Sequence, residues 1–542
     1  MGNYTPSRTP LKKQSRPHAF PCTIFAGAGT QMSSSSLICA IIYPDMARES
    51  GTVSLRQRVI EGGTYLATRR VVSMIFSFLG ALFITRIVGA GNYGLFSAAS
   101  GIFSFFLSVG LMGTNVYLIR SSKDAPMNLF HLAFWWLLGF GTFLATALSA
   151  TLVFAGNHWF RTEGFVPVAL ALCANIPLTL ISYVPLALLE RQLDYRKTTT
   201  VEVVAQTLQY IVSIPLVWQG YGVWALVAGF WASQLALPIG FFWAARYRPR
   251  WYWNMGELRA MLEYSFSQAV SGWVYNLRNL STSMIVLPFA GQEAVGYIAL
   301  AQKFLNFVSF LKGPAGRLSI PAFARLQQDA ARLTRAVSEA MQLQTLALLP
   351  FLAGFAAIAP FVLPHLLGAK WDVPTLLMVF SISGIRILLS ALFAIQGSAL
   401  FVIKKNWLML KANIAYIVVF FPLTYVGMLV APPEYRLFVF NIADLVAHFP
   451  TYWYKHYGVS RYLGRVDYRI TSLWTLGGIA ALLAPWLGWW LYGITLVLIG
   501  HPASVREIRE VIRSILAQRA RRSLLSQKSS ADSERQPLKE EF

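Results

Sequence analysis

Phe83 to Leu111 reads FITRIVGAGNYGLFSAASGIFSFFLSVGL, two apolar runs divided by a short glycine-containing turn. With the apolar residues on either side it predicts one helix over 64–89, a tight turn and a second helix over 93–119. A helix needs about 20 apolar residues to cross a bilayer. The same pattern repeats outward from this hairpin, with helices predicted at 127–155, 165–189, 199–219 and 222–245 in the first half. The second half gives 258–289, 294–321, 334–362, 374–402, 407–430 and 436–456, followed by two short spans at 469–484 and 486–500 around Pro485. Composition agrees: 56% of the 542 residues are hydrophobic, 13% are charged, and mean hydropathy is +0.51. A water-soluble surface of this size needs more charge. Trp251, Tyr252 and Trp253 stand where a helix should meet the lipid interface. The fold class expected is therefore an all-α polytopic membrane protein.

Lys and Arg outnumber Asp and Glu by 46 to 23. The cations cluster in alternate loops: Arg120 and Lys123; Arg191, Arg196 and Lys197; Arg246, Arg248, Arg250 and Arg259. The series continues with Arg317, Arg325, Arg332 and Arg335; Lys404 and Lys405; then Lys455, Arg461, Arg465 and Arg469. The intervening loops hold only Arg161, Lys370 and Arg436. This alternation fits the positive-inside rule, puts both termini on the cytoplasmic side and calls for fourteen crossings. It also argues against nucleic acid as a partner, since no basic stripe with interleaved stacking aromatics lies outside the apolar runs.

The opening hairpin recurs. RIVGAGNYGLFSAAS (Arg86 to Ser100) resembles LPFAGQEAVGYIALA (Leu287 to Ala301), about two hundred residues and six helices later. Parallel repeats imply two six-helix lobes related by an axis along the membrane normal, with a substrate path between them. The expected organisation is an N-lobe over 56–250, a C-lobe over 251–457, helices 13 and 14 within 458–502, and a cytoplasmic amphipathic helix and disordered tail over 503–542. In that last segment Val505, Ile508, Val511, Ile512, Ile515 and Leu516 share a helical face, with Arg506, Arg509, Arg513, Arg519, Arg521 and Arg522 on the rest, a pattern suited to an anionic leaflet. Residues 1–55 hold Ser33 to Ser36 and apolar scraps too short to span. They read as a disordered extension, or as an over-long start with translation beginning near Met46. Cys22, Cys39 and Cys173 form no pairable framework, and the seven histidines are scattered, so no metal and no cofactor is expected.

The ordered motifs carry a family resemblance. After the first hairpin come PLALLERQLDYRKTT (Pro185 to Thr199), GYGVWALVAGF (Gly220 to Phe230), RYRPRW (Arg246 to Trp251), AVGYIALAQKF (Ala294 to Phe304), PAFARLQQDAARL (Pro321 to Leu333) and GAKWD (Gly368 to Asp372). From about Thr64 to Asn406 the chain resembles the polysaccharide transporter (Wzx-type flippase) family, in its colanic-acid-exporter-like branch. That family belongs to the multidrug/oligosaccharidyl-lipid/polysaccharide exporter superfamily. The resemblance implies a bacterial cytoplasmic (inner) membrane protein that is not an enzyme. Its expected work is to move undecaprenyl-pyrophosphate-linked oligosaccharide units for lipopolysaccharide, capsule or exopolysaccharide assembly, with polymerase and co-polymerase proteins as partners. The long N-terminal extension departs from the family pattern.

Such a substrate carries a pyrophosphate, and an anion in a low-dielectric path must meet fixed cations. Arg278, flanked by Asn276 and Asn279, lies ~18 Å down the seventh helix from the turn near Gly291 at 1.5 Å per residue. Lys303 lies roughly 14 Å down the eighth helix by the same count, and Arg386 is near the middle of the tenth. These three are the expected anion-binding cations; the alternative is that they pair with acids or cap helices, although no acid lies one turn from Arg278. Arg86, at the end of the first helix, is a further candidate for which snorkelling is an adequate explanation, as it is for Lys312 and Lys411. Glu202, Asp444 and His448 are candidates for ion or proton coupling, or buried partners. Pro177, Pro185, Pro215, Pro238, Pro314 and Pro422 interrupt helices as bending points or tolerated kinks.

The competing transport function is a drug or cation antiporter of the same superfamily, which would place acids in its cavity; the deep charges here are mainly basic. A membrane-embedded glycan polymerase, ligase or glycosyltransferase would need a sizeable outer loop or soluble domain carrying acids or histidine, and no outer loop exceeds about a dozen residues by this span assignment. The topology has a direct test. Single cysteines at Gly91 and Gly291 should react with an impermeant thiol reagent in intact cells, and cysteines at Lys404 and Arg461 should not. Strong labelling at 404 or 461 would sink the fourteen-span arrangement.

Overall fold

The computed structural model describes residues 55–120, 127–192, 194–310, 312–510 and 513, so the expectations for 1–54 and for the tail beyond 513 lie outside it. The chain divides into two units, Met1–Arg69 and Arg70–Phe542, the first contributing, among the described residues, the start of one helix. That helix, α1 (Leu55–Leu111), is followed by α2 (Thr114–Arg120), α3 (Met127–Thr151), α4 (Asn157–Phe160), α5 (Phe165–Cys173), α6 (Ile176–Arg191), α7 (Tyr195–Trp218) and α8 (Val223–Ala245). The second half comprises α9 (Met255–Ser281), α10 (Leu287–Val308), α11 (Lys312–Leu326), α12 (Ala330–Leu367), α13 (Val373–Val402), α14 (Asn406–Val430) and α15 (Arg436–Tyr462), and α16 (Arg469–Leu487) and α17 (Trp490–Ile499) close the series. Short polar residues start several of them: Asp194, Asn254, Asp329 and Asp372 each accept a hydrogen bond from a backbone N–H of the following turn. Ten helices among the described residues are long and apolar enough to cross a membrane.

Two of those ten are hairpins. α1 breaks at Gly89, whose φ of 81° and ψ of 172° lie outside helical space and suit a residue without Cβ. Ser77 meets Tyr210 and Phe83 meets Trp218, so the first arm runs beside α7 in the same direction. Asn92 lies by Gly222, and Phe96 and Phe103 lie by Phe230, so the second arm follows α8. Since α7 and α8 pack antiparallel, with Gly229 against Ser213 and Gly240 against Val201, the chain reverses at Gly89. Gly291 repeats the break at φ 84° and ψ 175°. α10 then runs with α13, and the segment before it runs against α15, where Arg436 donates to the Phe289 carbonyl and Arg278 meets Asp444. Counting each hairpin twice and adding α15 and the ten-residue α17 accommodates the fourteen spans read from the sequence. The boundaries differ in places. The span expected over 93–119 breaks at Met112 and Gly113, which both adopt positive φ, and the span expected over 294–321 ends at Val308 before α11 begins.

The repeated glycines also form the seam between the halves. A Cβ on Gly94 would lie 1.8 Å from the Gln292 carbonyl oxygen and 2.7 Å from the Gly296 nitrogen. A Cβ on Gly296 would lie 2.2 Å from the Ala90 carbonyl oxygen. Gly94 and Gly296 hold the same place relative to Gly89 and Gly291, as do Ala90 and Gln292, so the contact is reciprocal, as a two-fold axis requires. Lys370 Nζ donates to the Ile87 carbonyl at 2.5 Å and Trp371 Nε1 to the Thr85 carbonyl at 2.8 Å. From the other half, Trp159 Nε1 donates to the Met284 carbonyl at 3.1 Å. At this end the bundle is closed.

After α17 the chain continues as a helix over 502–510, with Arg506 and Arg509 exposed and Val505 and Ile508 half-buried, matching the amphipathic pattern. Trp474 on α16 donates to the buried Ser504 hydroxyl and anchors it. The glycine seam gives a prediction. Neither backbone carbonyl can yield to a methyl group, so Gly94→Ala and Gly296→Ala should each hold this end apart and raise the reactivity of a Gly91→Cys thiol several-fold. Gly139→Ala, where a Cβ meets open space, should leave it unchanged. Equal labelling in all backgrounds would show that the seam does not close this end.

Candidate functional site

Four helices converge on one carboxylate. Asp444 lies on α15 with its side chain 5% exposed. From α9, Arg278 Nε donates to Asp444 Oδ1 at 3.0 Å and Nη2 to Oδ2 at 2.5 Å, a bidentate pair. From α13, Arg386, 7% exposed, places Nε 3.0 Å from Oδ2. From α14, the Tyr416 hydroxyl donates to Oδ1 at 2.9 Å. His448, one turn along α15, turns Nδ1 toward the Asp444 backbone carbonyl at 2.7 Å and lies 3.4 Å from Oδ1. Tyr452, one turn further, donates to the Arg386 carbonyl at 3.2 Å. A carboxylate this deep is tenable only when neutralised; Arg278 bonds both oxygens, and Arg386 adds its charge beside Oδ2 without a hydrogen bond from Nε.

The cluster extends into α10. Arg386 Nη2 reaches Gln302 Oε1 at 3.4 Å, and Gln302 Nε2 donates to Asn306 Oδ1 at 2.9 Å. Between those two amides in sequence is Lys303. It lines a cavity of about 400 Å³ with Gln302 and Asn306 on one side and Ser77 and Phe78, from the first arm of α1, on the other. The cavity thus lies between the two halves. Among the described residues no carboxylate lies within ion-pair distance of the Lys303 ammonium. Lys303 is the one charged group among the residues lining the cavity, so the cavity favours anions; Arg278 and Arg386, with their carboxylate, lie behind Gln302.

The sequence candidates therefore separate. Arg278 does not lack an acid, as its neighbours along α9 suggested; its partner comes from α15, 166 positions away. Arg278, Arg386, Asp444 and His448 form one network, and Lys303 lines the adjoining cavity beside Gln302, which Arg386 contacts. Asn276 turns away from it, donating to the Ser108 hydroxyl at 3.0 Å beside Trp273, which donates to the Ser108 carbonyl at 3.1 Å; these bonds fasten α9 to the second arm of α1. Asn279 is exposed. Arg86 is exposed beside Gly368 at the closed end, and Glu202 is exposed on α7, which carries none of the cluster. Gln302, Asn306 and Tyr416 were not singled out from the sequence, although the polar spacing in AQKFLNF marks one face of α10.

The model of the family described as "Polysaccharide biosynthesis protein" matches residues 83–376. The chain is 24% identical over 304 residues to the succinoglycan biosynthesis transport protein ExoT of Rhizobium meliloti (strain 1021), an alignment covering 54% of this chain and 59% of that protein. The match to this relative therefore spans less than two thirds of its length. It is also 30% identical over 138 residues, 24% of this chain and 35% of the other, to the amylovoran biosynthesis protein AmsL of Erwinia amylovora. Among solved structures it is similar to the lipid II flippase MurJ in an inward closed conformation, with TM-score 0.61 and 13% identity over 81% of this chain and 99% of that one. An inward-facing multidrug transporter of the MATE family gives TM-score 0.52 and 14% identity over 72% and 98%. At those identities the two structures speak for the shared fold.

The ion cluster has its own test. Asp444→Asn removes the counter-charge beside the buried Arg386 and should cost on the order of 3–5 kcal/mol. Arg278→Ala leaves Asp444 paired with Arg386 and should cost less. Thermal unfolding of the purified variants in detergent reads the order; an Arg278→Ala protein less stable than Asp444→Asn would remove the carboxylate from the centre of the network.

Proposed function

The chain belongs to the polysaccharide biosynthesis protein family, whose model matches more than half of it, and from that premise we propose that it is a flippase for a lipid-linked oligosaccharide. The substrate in this reading is an undecaprenyl-pyrophosphate-linked repeat unit, taken from the cytoplasmic face of a bacterial inner membrane and delivered outward for surface or exo-polysaccharide assembly. The observation that carries the reading is Lys303, an ammonium without a carboxylate partner among the described residues, facing a cavity between the two halves. A pyrophosphate at that cavity would meet Lys303 as a point charge and the Gln302 and Asn306 amides as donors. Arg278 and Arg386, held by Asp444, contribute through their excess positive charge.

The two lobes, 56–250 and 251–457, then rock about the central site, with the glycine seam closing the outer side while the lipid head is loaded from within. A drug or cation antiporter fits less well. It needs a free acid in the cavity, whereas the Asp444 oxygens are occupied by two arginines and a tyrosine.

Lys303→Ala should insert normally yet lower polysaccharide export at least about ten-fold, equivalent to roughly 1.4 kcal/mol of binding, with lipid-linked units accumulating on the cytoplasmic face. Lys303→Arg should keep part of the activity because the charge survives. Export by Lys303→Ala at the wild-type rate would remove the cavity from the transport path.

A further inference from the structure

The Lys303 cavity does not end in polar groups. Phe78, which lines it, also lines a second cavity of about 140 Å³ that extends toward the closed end. Every residue bounding that slot is apolar, among them Leu82 on α1, Phe304 on α10, and Phe355, Ala359 and Val362 on α12. Ala359 is buried at its floor and Ile358 is 60% exposed at its mouth. Phe78 stacks on Phe307 at 4.2 Å and meets Phe304 at 5.6 Å, so its ring divides the polar chamber from the apolar one.

We propose that this slot holds the first isoprene units of the substrate's polyprenyl chain while the pyrophosphate lies at Lys303. The inference rests on the flippase reading and adds the place and polarity of the tail. Two features favour this occupant over bulk phospholipid. Lys303 is nine residues along the helix from Ala294, or about 14 Å at 1.5 Å per residue, near the middle of a ~30 Å hydrocarbon core. Phospholipid phosphates stay at the interface, so a lipid phosphate at this depth has been drawn into the protein. The second feature is direction. The slot runs from Lys303 toward the Gly89/Gly291 end, which the loop charges place outside, so its ligand has head inward and chain outward. That is how a lipid enters from the inner leaflet.

The experiment uses the full chain in nanodiscs containing phosphatidylglycerol, with farnesyl pyrophosphate and inorganic pyrophosphate as probes. Ala359→Phe fills the slot, and Ile358→Trp narrows its mouth from an exposed position where folding is not at stake. Each should weaken farnesyl pyrophosphate binding about ten-fold and leave inorganic pyrophosphate unchanged, while Lys303→Gln should weaken both. If both slot variants bind farnesyl pyrophosphate as the wild type does, the tail lies elsewhere and the flippase reading survives alone. Displacement of farnesyl pyrophosphate by added phosphatidylglycerol would make the slot a bulk-lipid site and overturn the proposal. Failure of the wild type to bind either probe would overturn the flippase reading together with it.

Discussion

A carboxylate in the interior of a membrane protein has no water to solvate it, and the packing of the second half of this chain follows from that. Neutralising Asp444 requires cations from other helices, because its own helix offers only His448 one turn away. Arg278 and Arg386 reach it from α9 and α13, and Tyr416 adds a hydroxyl from α14. Four helices are thereby fixed in depth and rotation by one residue, since a shift of either arginine by a turn (~5.4 Å) would break the pairing. Two guanidinium groups on one carboxylate also leave an excess of positive charge, and Gln302 links that excess to the cavity wall at Lys303.

The other end of the bundle is organised by the opposite means, the absence of side chains. Where Gly94 meets Gln292 and Gly296 meets Ala90, backbone touches backbone across the two halves. The polar fasteners beside this contact end on main-chain carbonyls: Lys370 and Trp371 on the first arm of α1, Ser283 on its second arm, and Trp159 on the segment after α9. Asp444, Arg278 and Arg386 all belong to the second half, so in the rocking proposed above their pairing need not break.

The contrast decides what was legible in the sequence. Spans and hairpins were, because apolar length and a glycine between apolar runs are local signals, and the resemblance between Arg86–Ser100 and Leu287–Ala301 marked both turns. That Arg278, Lys303 and Arg386 fall within helices was legible too. Their partners were not. Helical spacing tests for an acid three or four residues away, and Asp444 is 166 residues from Arg278. Asn276 misled for the related reason that adjacency in sequence turned it to a different face, toward Ser108. The break at Met112 and Gly113 lay within a mostly apolar run, whereas the one before α11 was signalled by Lys312, Gly313 and Pro314, read as a snorkelling end and a kink inside a longer span.

The two kinds of cation in the site also suit different tasks. An arginine held bidentate by a carboxylate is rigid, and its planar fork would grip a phosphate as firmly as it grips Asp444. A site built of such groups would bind an anion tightly and release it slowly. Lys303 offers one point charge on a flexible stem, backed by neutral amides that can exchange partners. A carrier must bind on one side and let go on the other, so its contact with the cargo has to be strong enough to offset desolvation and weak enough to break in each cycle. In the flippase reading, with the arginines near Asp444 as fixed background charge and the lysine left to face the cavity, the site would attract an anion without trapping it.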